Sequence, residues 1–458
     1  MASDAPYDIV ILGGGSGGYA CALRAAELGM SVALVEKDKV GGTCLHRGCI
    51  PTKALLHAAE VADQTRESAQ FGVSATLDGI DMPGLHSYKN KVVGRLWRGL
   101  SGLVKSRAVT YVEGEGRLVS PTAVQVGEQR LEGRHVVLAT GSVPKSLPGL
   151  EIDGSKVITS DEALTWQHVP ASVVILGAGA LGVEFASIWR SFGAFVTIVE
   201  ALPHLLPLEE ESSSKLLERA FRKRGISFEL GARFERVEHT DGGVRVHLAG
   251  GKTIEAELLL VAIGRGPVSQ GLGYDEVGVA LDRGFVKVDA YCQTNVPTIS
   301  AIGDLIPTLQ LAHVGFAEGI LVAERLAGLN PVPVDYDGVP RVTYSEPEVA
   351  SVGITSAEAR NRGYEITEVT YDLAGNGRSQ ILATAGAVEV IAAKDGPVLG
   401  VHMVGSRVGD LVAEAQLITN WEALPVEVAQ LIHPHPTMSE AIGEAHLALA
   451  GKPLHFHS

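Results

Sequence analysis

The sequence has few cysteines and an excess of negative charge. Its 458 residues include only four cysteines, which are too few for a disulfide-stabilised scaffold. No stretch approaches the roughly 20 consecutive apolar residues of a membrane-spanning helix, and no basic, apolar leader precedes the first apolar run. Lys and Arg number 38 against 53 Asp and Glu, so an acidic surface would repel phosphate backbones. We therefore expect a cytoplasmic protein that binds neither membranes nor nucleic acids.

What the sequence does contain is a repeat. DIVILGGGSGGYACALRAAELGMSVALVE, from Asp8, aligns with SVVILGAGALGVEFASIWRSFGAFVTIVE, from Ser172, at a constant offset of 164 residues. Each copy predicts a strand, a glycine turn, an amphipathic helix and a second strand that ends in an acid, which is a βαβ unit. The matching residues are Gly13, Gly15, Gly18 and Glu36 in the first copy and Gly177, Gly179, Gly182 and Glu200 in the second.

The chemistry of dinucleotide binding explains these positions. The first glycine makes a tight turn, the second lets the backbone approach a pyrophosphate, and the third lets helix and strand pack closely. The phosphate then lies at a helix N-terminus, and the acid accepts hydrogen bonds from ribose hydroxyls. One such fingerprint is weak, because glycine turns between strands and helices are common. Two copies in register predict that two dinucleotides bind.

Cys44 and Cys49 are separated by four residues in GGTCLHRGCIPTK. Zinc sites normally use shorter spacings and further ligands, so we expect no metal. Five positions along a regular helix separate Cα atoms by roughly 8–9 Å, and a disulfide tolerates only about 6.8 Å. A disulfide would therefore require a bend, which Gly48 permits. A helix with Pro51 in its first turn would place Cys49 near N–H groups that favour a thiolate. Two unpaired structural thiols are the alternative.

Together with the two fingerprints, Cys44-Leu-His-Arg-Gly-Cys49-Ile-Pro-Thr-Lys53 resembles the redox site of the FAD-dependent pyridine nucleotide-disulfide oxidoreductases, over nearly the whole chain. The resemblance implies an α/β protein with two Rossmann-like dinucleotide-binding domains and a C-terminal α+β dimerisation domain. The expected boundaries are 1–145 for the FAD-binding domain, 146–266 for the NAD-binding domain, 267–337 for a central segment completing the FAD domain, and 338–458 for the interface domain.

The resemblance also implies residue roles. Cys44 would exchange with the thiol substrate and Cys49 would face the flavin, while Lys53 would lie by the flavin and pair with Glu184. The further FAD contacts would come from Gly13, Gly15, Gly18, Glu36, Gly116, Thr140, Gly141, Asp304, Ala312 and His313, and the NAD contacts from Gly177, Gly179, Gly182, Glu184, Glu200 and Gly264.

A histidine-rich run, HPHPTMSE, lies near the C-terminus. Thiol–disulfide exchange needs a base, and histidine is suited to this near neutral pH. The resemblance implies that His435 is this base, that Glu440 orients it, and that both act on the other subunit of a homodimer. Two departures from the family pattern are the additional Pro434 and the pair His46-Arg47, where Asn-Val is common. Both leave the cysteine spacing intact.

Several features indicate which members of the family the chain resembles most. A carboxylate at Glu200 would repel the 2′-phosphate of NADP, so NAD is favoured. No cysteine follows Cys292, which argues against members with a C-terminal redox pair. The stretches LAH at 311–313 and SEPEVASVG at 345–353 look most like members that oxidise protein-bound dihydrolipoyl groups, which belong to 2-oxo acid dehydrogenase complexes or the glycine cleavage system. The alternatives are another NAD(P)H-dependent reductase of small-thiol disulfides, a flavin NADH oxidase or diaphorase, and a non-enzymatic nucleotide-binding subunit.

Overall fold

The structure, a computed structural model, describes residues 6–456. Within this range the chain forms two compact units, and each is assembled from separate stretches of sequence. The first unit contains the residues up to Ala54 together with Pro83–Lys145 and Arg265–Tyr336. The second contains Leu55–Met82, Ser146–Gly264 and the residues from Asp337 onward.

Strands and helices follow one another in mixed order along the chain. The strands are β1 (Tyr7–Leu12), β2 (Val32–Glu36), β3 (Thr110–Glu113), β4 (Gly116–Ser120), β5 (Ala123–Val126), β6 (Gln129–Leu138), β7 (Ser142–Pro144), β8 (Val157–Ile158), β9 (Ser172–Leu176), β10 (Phe195–Glu200), β11 (Ser227–Leu230), β12 (Phe234–Thr240), β13 (Gly243–Leu248), β14 (Thr253–Ala256), β15 (Leu258–Val261), β16 (Arg265–Pro267), β17 (Leu281–Asp282), β18 (Phe285–Val286), β19 (Ile299–Ala301), β20 (Arg341–Thr343), β21 (Glu348–Gly353), β22 (Ile366–Asp372), β23 (Ala387–Ala393) and β24 (Val398–Gly405). The helices are α1 (Ser16–Glu27), α2 (Gly42–Arg47), α3 (Cys49–Glu67), α4 (Met82–Ser106), α5 (Ser160–Ala163), α6 (Ala180–Phe192), α7 (Glu211–Arg224), α8 (Tyr274–Val277), α9 (Ala312–Leu326), α10 (Ser356–Asn361), α11 (Gly377–Ile381), α12 (Val408–Asn420), α13 (Pro425–Val428) and α14 (Glu440–Leu449), with short 3-10 turns at Ser68–Phe71, Gly303–Leu305 and Leu373–Gly375.

The first unit is built on a seven-stranded sheet in the order β3-β2-β1-β6-β5-β4, with β19 beside β6. Strand β1 runs parallel to both of its neighbours, β2 and β6. Its residues Ile9, Val10 and Ile11 are completely buried, as expected for a parallel strand that is covered on both faces and therefore reads as a continuous apolar run. The turn after β1 lies at the carboxyl edge of this sheet, which is where open α/β sheets bind ligands.

Helices α1 and α9 approach each other closely in this unit. A Cβ atom on Gly319 would lie 2.4 Å from the carbonyl oxygen of Gly17, so the contact leaves no room for a side chain at position 319. The close contact fixes the start of α9, which carries Ala312 and His313, against the first βαβ unit.

The second unit contains a parallel sheet in the order β11-β10-β9-β15-β8 and a three-stranded antiparallel sheet, β12-β13-β14. Strand β9 lies between β10 and β15. The connecting helix α6 buries most of its surface, including Phe185 and Trp189. Both predicted βαβ units are therefore present, and the predicted α/β class is confirmed.

The last part of the second unit is a five-stranded antiparallel sheet in the order β20-β21-β24-β23-β22. Helix α12 packs against β21 and β24, and α14 packs against β22 and β23. The sheet with its covering helices forms the predicted α+β region. Among residues 6–456, no helix is both long enough and apolar enough to cross a membrane.

Candidate redox and dinucleotide sites

The two neighbouring cysteines lie where one helix ends and another begins. Helix α2 ends at Arg47, the chain turns at Gly48, and α3 begins with Cys49. The turn brings the two thiols into hydrogen-bonding contact. The hydrogen bond to Cys49, together with burial, raises the pKa of Cys44 well above its usual value, although Lys53 acts in the opposite direction. Cys44 is therefore held in its protonated, thiol form.

The first turn of α3 explains why that charge suits Cys49. The carbonyl of Gly48 accepts hydrogen bonds from the N–H of Thr52 (3.1 Å) and from its hydroxyl (2.6 Å). Helical hydrogen bonding thus begins immediately before Cys49. Unpaired N–H groups at a helix start stabilise a nearby anion by about 0.3–1 kcal/mol.

Tyr19 of α1 is a neighbour of the thiol pair that the sequence analysis missed. Burial, together with Cys44 and Cys49, raises the pKa of Tyr19 to about 12. The ring also contacts Phe316 of α9, with the ring centroids 5.5 Å apart. The phenol near the thiols is therefore neutral at physiological pH. No spacing rule marks the residue, because its position depends on how α1, α2 and α9 pack.

The first glycine turn combines two kinds of glycine. A Cβ on Gly18 would lie 1.8 Å from the carbonyl oxygen of Gly13, and Gly13 itself has a φ of 109°. The packing of the turn therefore requires these two glycines. A Cβ on Gly15 would meet only the Cα of Gly42, at 4.0 Å, among the described atoms. Within residues 6–456, no side chain caps the start of α1. Open space in front of unpaired N–H groups fits a pyrophosphate.

The second glycine turn repeats this arrangement. Gly177 has a φ of 107°, and a Cβ on Gly182 would lie 2.0 Å from its carbonyl oxygen. No atom of the described chain lies within 4 Å of the position that a Cβ on Gly179 would occupy. Helix α6 also starts without a side-chain cap from any described residue. The second turn thus fits a dinucleotide on the same grounds as the first.

The two acids are held rigidly by their own turns. Glu200 accepts hydrogen bonds from the N–H groups of Ala178 (2.7 Å) and Leu202 (2.9 Å). Glu36 makes the equivalent pair of bonds, at 2.7 and 2.8 Å. Each carboxylate retains lone pairs that can accept hydrogen bonds from ribose hydroxyls. His204, the first basic residue after Glu200, lies 3.7 Å from both Glu211 and Glu218 and is flanked by negative charge. This environment disfavours the 2′-phosphate of NADP.

Asp304 lies in a turn that is held from two sides. Its carboxylate accepts a hydrogen bond from the hydroxyl of Ser142 (2.5 Å). The same hydroxyl accepts a hydrogen bond from Nε of Arg265 (2.7 Å). The N–H of Gly303 donates to Glu318 (2.6 Å), which is completely buried. Burial raises the pKa of Glu318, although three hydrogen bonds act in the opposite direction. Asp304 was predicted from the sequence, whereas its supporting residues, which lie far from it along the chain, were not.

The exit turns of β6 and β15 are also similar. Gly141 and Gly264 both have positive φ angles, of 69° and 101°. The hydroxyl of Thr140 donates to the carbonyl of Val268 (2.6 Å) and lies 3.0 Å from the hydroxyl of Tyr274. Thr140 is thus fixed by the protein itself.

The other residues predicted to contact FAD occupy different environments. Gly116 is buried at the start of β4, where a Cβ would lie 2.5 Å from the side chain of Leu12. Ala312 and His313 form the first turn of α9, with Ala312 partly buried and His313 exposed. Packing alone therefore requires the glycine at 116.

Two histidine–carboxylate pairs lie close together in the second unit. His435 Nδ1 is 2.8 Å from Glu440, and its side chain is 75% exposed. Although burial acts in the opposite direction, the N–H of Thr437 and the ring of His435 lower the pKa of Glu440. His433 pairs with Glu414 at 2.7 Å and is only 11% exposed, and this hydrogen bond raises its pKa. Of these two histidines, His435 is the one that combines an orienting carboxylate with the accessibility that a general base needs.

The sequence-predicted residues fall into two groups. The thiols, Lys53 and the residues predicted to contact FAD belong to the first unit. The residues predicted to contact NAD, together with His435 and Glu440, belong to the second. Glu184 is buried there and accepts the N–H of Tyr344 (3.0 Å). The predicted pair between Lys53 and Glu184 stays a prediction.

Two dinucleotide folds, an adjacent thiol pair and an α+β C-terminal region define a nucleotide-dependent disulfide oxidoreductase. Comparison with known families agrees with this class. The chain belongs to the pyridine nucleotide-disulphide oxidoreductase family, which it matches over residues 7–319, and it carries the dimerisation domain of that family over residues 339–446. The resemblance inferred from the sequence is confirmed.

Individual relatives cover nearly the whole chain. Dihydrolipoyl dehydrogenase of Bacillus subtilis is 42% identical, over 98% of this chain and 99% of its own. The mitochondrial dihydrolipoyl dehydrogenase of Pisum sativum is 40% identical, over 98% and 92%, and a leghemoglobin reductase of Glycine max is 39% identical, over 98% and 88%. Among solved structures, LpdA of Mycobacterium tuberculosis has a TM-score of 0.90 at 27% identity, covering 96% of this chain and 99% of that one.

Proposed function

We propose that this chain acts as a dihydrolipoyl dehydrogenase, which oxidises protein-bound dihydrolipoyl groups to lipoyl groups with NAD+ as the acceptor. One observation carries the proposal: the thiol pair lies at the start of a helix in a chain that matches dihydrolipoyl dehydrogenases over 98% of its length. The cofactors are FAD and NAD. When bound, they supply the two-electron chemistry that returns the thiol pair to a disulfide, with NADH as the final product.

The residues that would hold the two cofactors follow from the glycine turns. The turn and acid of the first βαβ unit would hold FAD, together with Gly116, Thr140, Gly141, Asp304, Ala312, His313 and Lys53. The turn and acid of the second βαβ unit would hold NAD, together with Glu184 and Gly264. Uncapped helix starts would bind the pyrophosphates, and Glu36 and Glu200 would bind the riboses.

The side chains of the protein carry out the thiol chemistry. His435 removes a proton from a dihydrolipoyl thiol, and the resulting thiolate attacks the sulfur of Cys44 in the oxidised pair. A bond forms between substrate and Cys44, the Cys44–Cys49 bond breaks, and Cys49 leaves as a thiolate. The second substrate thiol loses its proton and attacks the substrate sulfur of this mixed disulfide, so that the lipoyl ring closes and Cys44 is released. Two electrons and two protons have then left the substrate.

The start of α3 makes this direction of attack favourable. A sulfur whose thiolate is stabilised is the better leaving group in thiol–disulfide exchange. Cys49 occupies that position, whereas the raised pKa of Cys44 marks it as the sulfur that is protonated after release. Glu440 holds the ring of His435 and stabilises the imidazolium that forms.

We further propose that the active enzyme is a cytoplasmic homodimer, in which His435 of each chain serves the cysteines of its partner. The dimerisation domain and the exposed His435 support this arrangement. The physiological partners would be lipoyl domains of 2-oxo acid dehydrogenase complexes or of the glycine cleavage system.

Turnover of dihydrolipoamide with NAD+ by the purified holoenzyme tests the function. We expect Cys44→Ser and Cys49→Ser to lower kcat by at least about 10³-fold, and His435→Ala to lower it by about 10²–10⁴-fold. Cys292→Ser, at a buried cysteine outside the thiol pair, is the matched control and should retain turnover. A wild-type enzyme that reduces small disulfides with NADPH far faster than it oxidises dihydrolipoamide would refute the proposal.

Mixed dimers test the exchange of histidines between subunits. Coexpression of Cys49→Ser and His435→Ala chains should restore about one quarter of the wild-type activity, because half of the randomly formed dimers are hybrids with one intact site of two. If His435 served the cysteines of its own chain, no hybrid would contain an intact site and activity would stay at the level of the separate variants.

A further inference from the structure

The helix that carries Cys44 is too short to hold its own position. Helix α2 has only six residues, and no described side chain caps its start. Isolated helices shorter than about 12–15 residues are marginal in water. The position of Cys44 must therefore depend on contacts that α2 makes with the rest of the first unit.

The start of α2 is attached to the first glycine turn. The N–H of Gly41 donates to the carbonyl of Gly14 at 2.8 Å. A Cβ on Gly42 would lie 2.6 Å from the Cα of Gly15, so the two backbones are in direct contact. One end of the helix thus packs on the turn that fits a pyrophosphate.

The end of α2 is attached to the loop that follows Glu36. His46 Nε2 lies 3.0 Å from the carbonyl of Val40 and, because a carbonyl only accepts, this nitrogen donates. Arg47 lies 3.5 Å from the carboxylate of Asp38. The N–H of Asp38 donates in turn to Glu36, at 2.8 Å. Both residues that depart from the common Asn-Val pair therefore contact the same short loop.

Trp97 of α4 covers this attachment from outside. The ring of His46 meets the indole edge-on, with the centroids 6.4 Å apart. The ammonium group of Lys39 lies over the same indole, 5.4 Å from its centroid. Trp97 thus lies against both the helix and the loop, beside the hydrogen bond of His46.

We propose that His46 and Arg47 are positioning residues that attach the redox-active segment to the loop after the ribose-binding acid, so that Cys44 is fixed between two FAD-binding elements. The inference rests on the proposed function of Cys44 as the sulfur that the substrate attacks. Small displacements of a reacting group reduce rates strongly, so a looser attachment should slow the reaction of Cys44 more than it weakens substrate binding.

The test uses the double variant His46→Asn/Arg47→Val, which introduces the residue pair common in the family. We expect kcat for dihydrolipoamide oxidation to fall by about threefold to tenfold with an unchanged KM. We also expect iodoacetamide to alkylate Cys44 of the reduced holoenzyme faster by a similar factor, as measured by mass spectrometry. His46→Gln keeps a donor for the carbonyl of Val40 and should retain most of the wild-type behaviour.

Arg130→Val is the matched control, because Arg130 is 51% exposed like Arg47 and pairs with Glu132 on the surface of the same unit. It should change neither kcat nor alkylation. Wild-type kcat and wild-type alkylation of Cys44 in the double variant would overturn the proposal, as would equal losses in His46→Gln and His46→Asn. Alkylation needs no dihydrolipoyl substrate, so it distinguishes a failure of this inference from a failure of the proposed function. Should the double variant not fold, the single variants Arg47→Val and His46→Asn, each compared with His46→Gln, provide the same test.

Discussion

The two βαβ units, at residues 8–36 and 172–200, have the same local geometry but different surroundings. The first and third glycines of both units are required by backbone contacts, and both acids accept two N–H groups. In the first unit, α2 covers the turn, so that Gly42 lies near the open side of Gly15. In the second unit, no described atom lies within 4 Å of the corresponding side of Gly179. The same fingerprint therefore has α2 as a neighbour in the first copy and no described atom within 4 Å at the matching position in the second.

The difference shows what a fingerprint specifies and what it leaves to the rest of the chain. Both turns present the same N–H groups and acid, so both fit a dinucleotide. A helix beside the first turn suits a cofactor that stays bound, whereas a second turn without such a neighbour suits a nucleotide that enters and leaves during turnover.

Removal of FAD should give the largest difference in stability between the two glycine turns. A ligand present at a thousandfold excess over its Kd stabilises the folded state by about 4 kcal/mol. We expect FAD removal to lower the thermal unfolding midpoint much more than omission of NAD+ does. Melting curves of the holoenzyme and of FAD-stripped protein, each with and without NAD+, measure both effects. Equal shifts for the two cofactors would contradict the comparison.

The third glycine should be equally important in both units. A methyl group at Gly18 or Gly182 would lie 1.8 or 2.0 Å from a carbonyl oxygen of its own turn. We expect Gly18→Ala and Gly182→Ala each to destabilise the protein by about 3 kcal/mol or more, seen as a lower midpoint in denaturant unfolding. Gly99→Ala, at an open position of α4, is the control and should not destabilise. Loss of stability in one unit alone would show that the two turns are not equivalent.

Substitution of the second glycine in each βαβ unit should weaken cofactor binding without affecting folding. The protein has room for a methyl group at both positions, so Gly15→Ala and Gly179→Ala should change the unfolding free energy of the cofactor-free protein by less than about 0.5 kcal/mol. The methyl group occupies the side from which a phosphate approaches, and we expect roughly tenfold weaker binding, about 1.4 kcal/mol. Gly15→Ala should lose FAD, measured as flavin absorbance per chain. Gly179→Ala should keep FAD and weaken NADH binding, measured by fluorescence titration. Loss of FAD from Gly179→Ala would reverse the assignment of the two folds.

Substitution of the acids that end the two βαβ units, Glu36 and Glu200, should give the smallest effect. Glu200→Gln removes the charge but leaves the shape of the side chain, at a cost of about 1 kcal/mol in hydrogen bonding. We expect the preference for NADH over NADPH to fall by about fivefold, because the repulsion of the 2′-phosphate is lost. Glu36→Gln in the first unit should leave this preference unchanged. The ratio of kcat/KM for NADH to that for NADPH measures the preference in each variant. If this ratio fell in Glu36→Gln as much as in Glu200→Gln, Glu200 would not be the residue that sets the preference.

Much of the candidate site could be predicted from sequence because its main features are local. Gly13 and Gly18 are needed by the sterics of a single turn, and the bend between Cys44 and Cys49 follows from helix geometry and one glycine. Parallel strands covered on both faces read as apolar runs, so the α/β class was also predictable.

The supporting residues could not be predicted, because they are distant in sequence. Ser142 lies 162 positions from the Asp304 that it contacts and 123 from Arg265. Tyr19 lies near enough to both thiols to feel their charge, although 25 residues separate it from Cys44 in sequence. Neither the periodicity of apolar residues nor the spacing of motifs in the sequence predicts such contacts.

The sequence by itself determined two dinucleotide turns, a bent thiol pair and the type of side chain available as a base, since short-range sterics and hydrogen-bonding capacity belong to the residues themselves. Only the tertiary structure decided that α2 lies beside Gly15 while Gly179 has no described neighbour within 4 Å, and that His435 is exposed while His433 is partly buried against Glu414. Exposure and charge environment depend on which distant segments pack against a residue, and that information is spread over the whole chain.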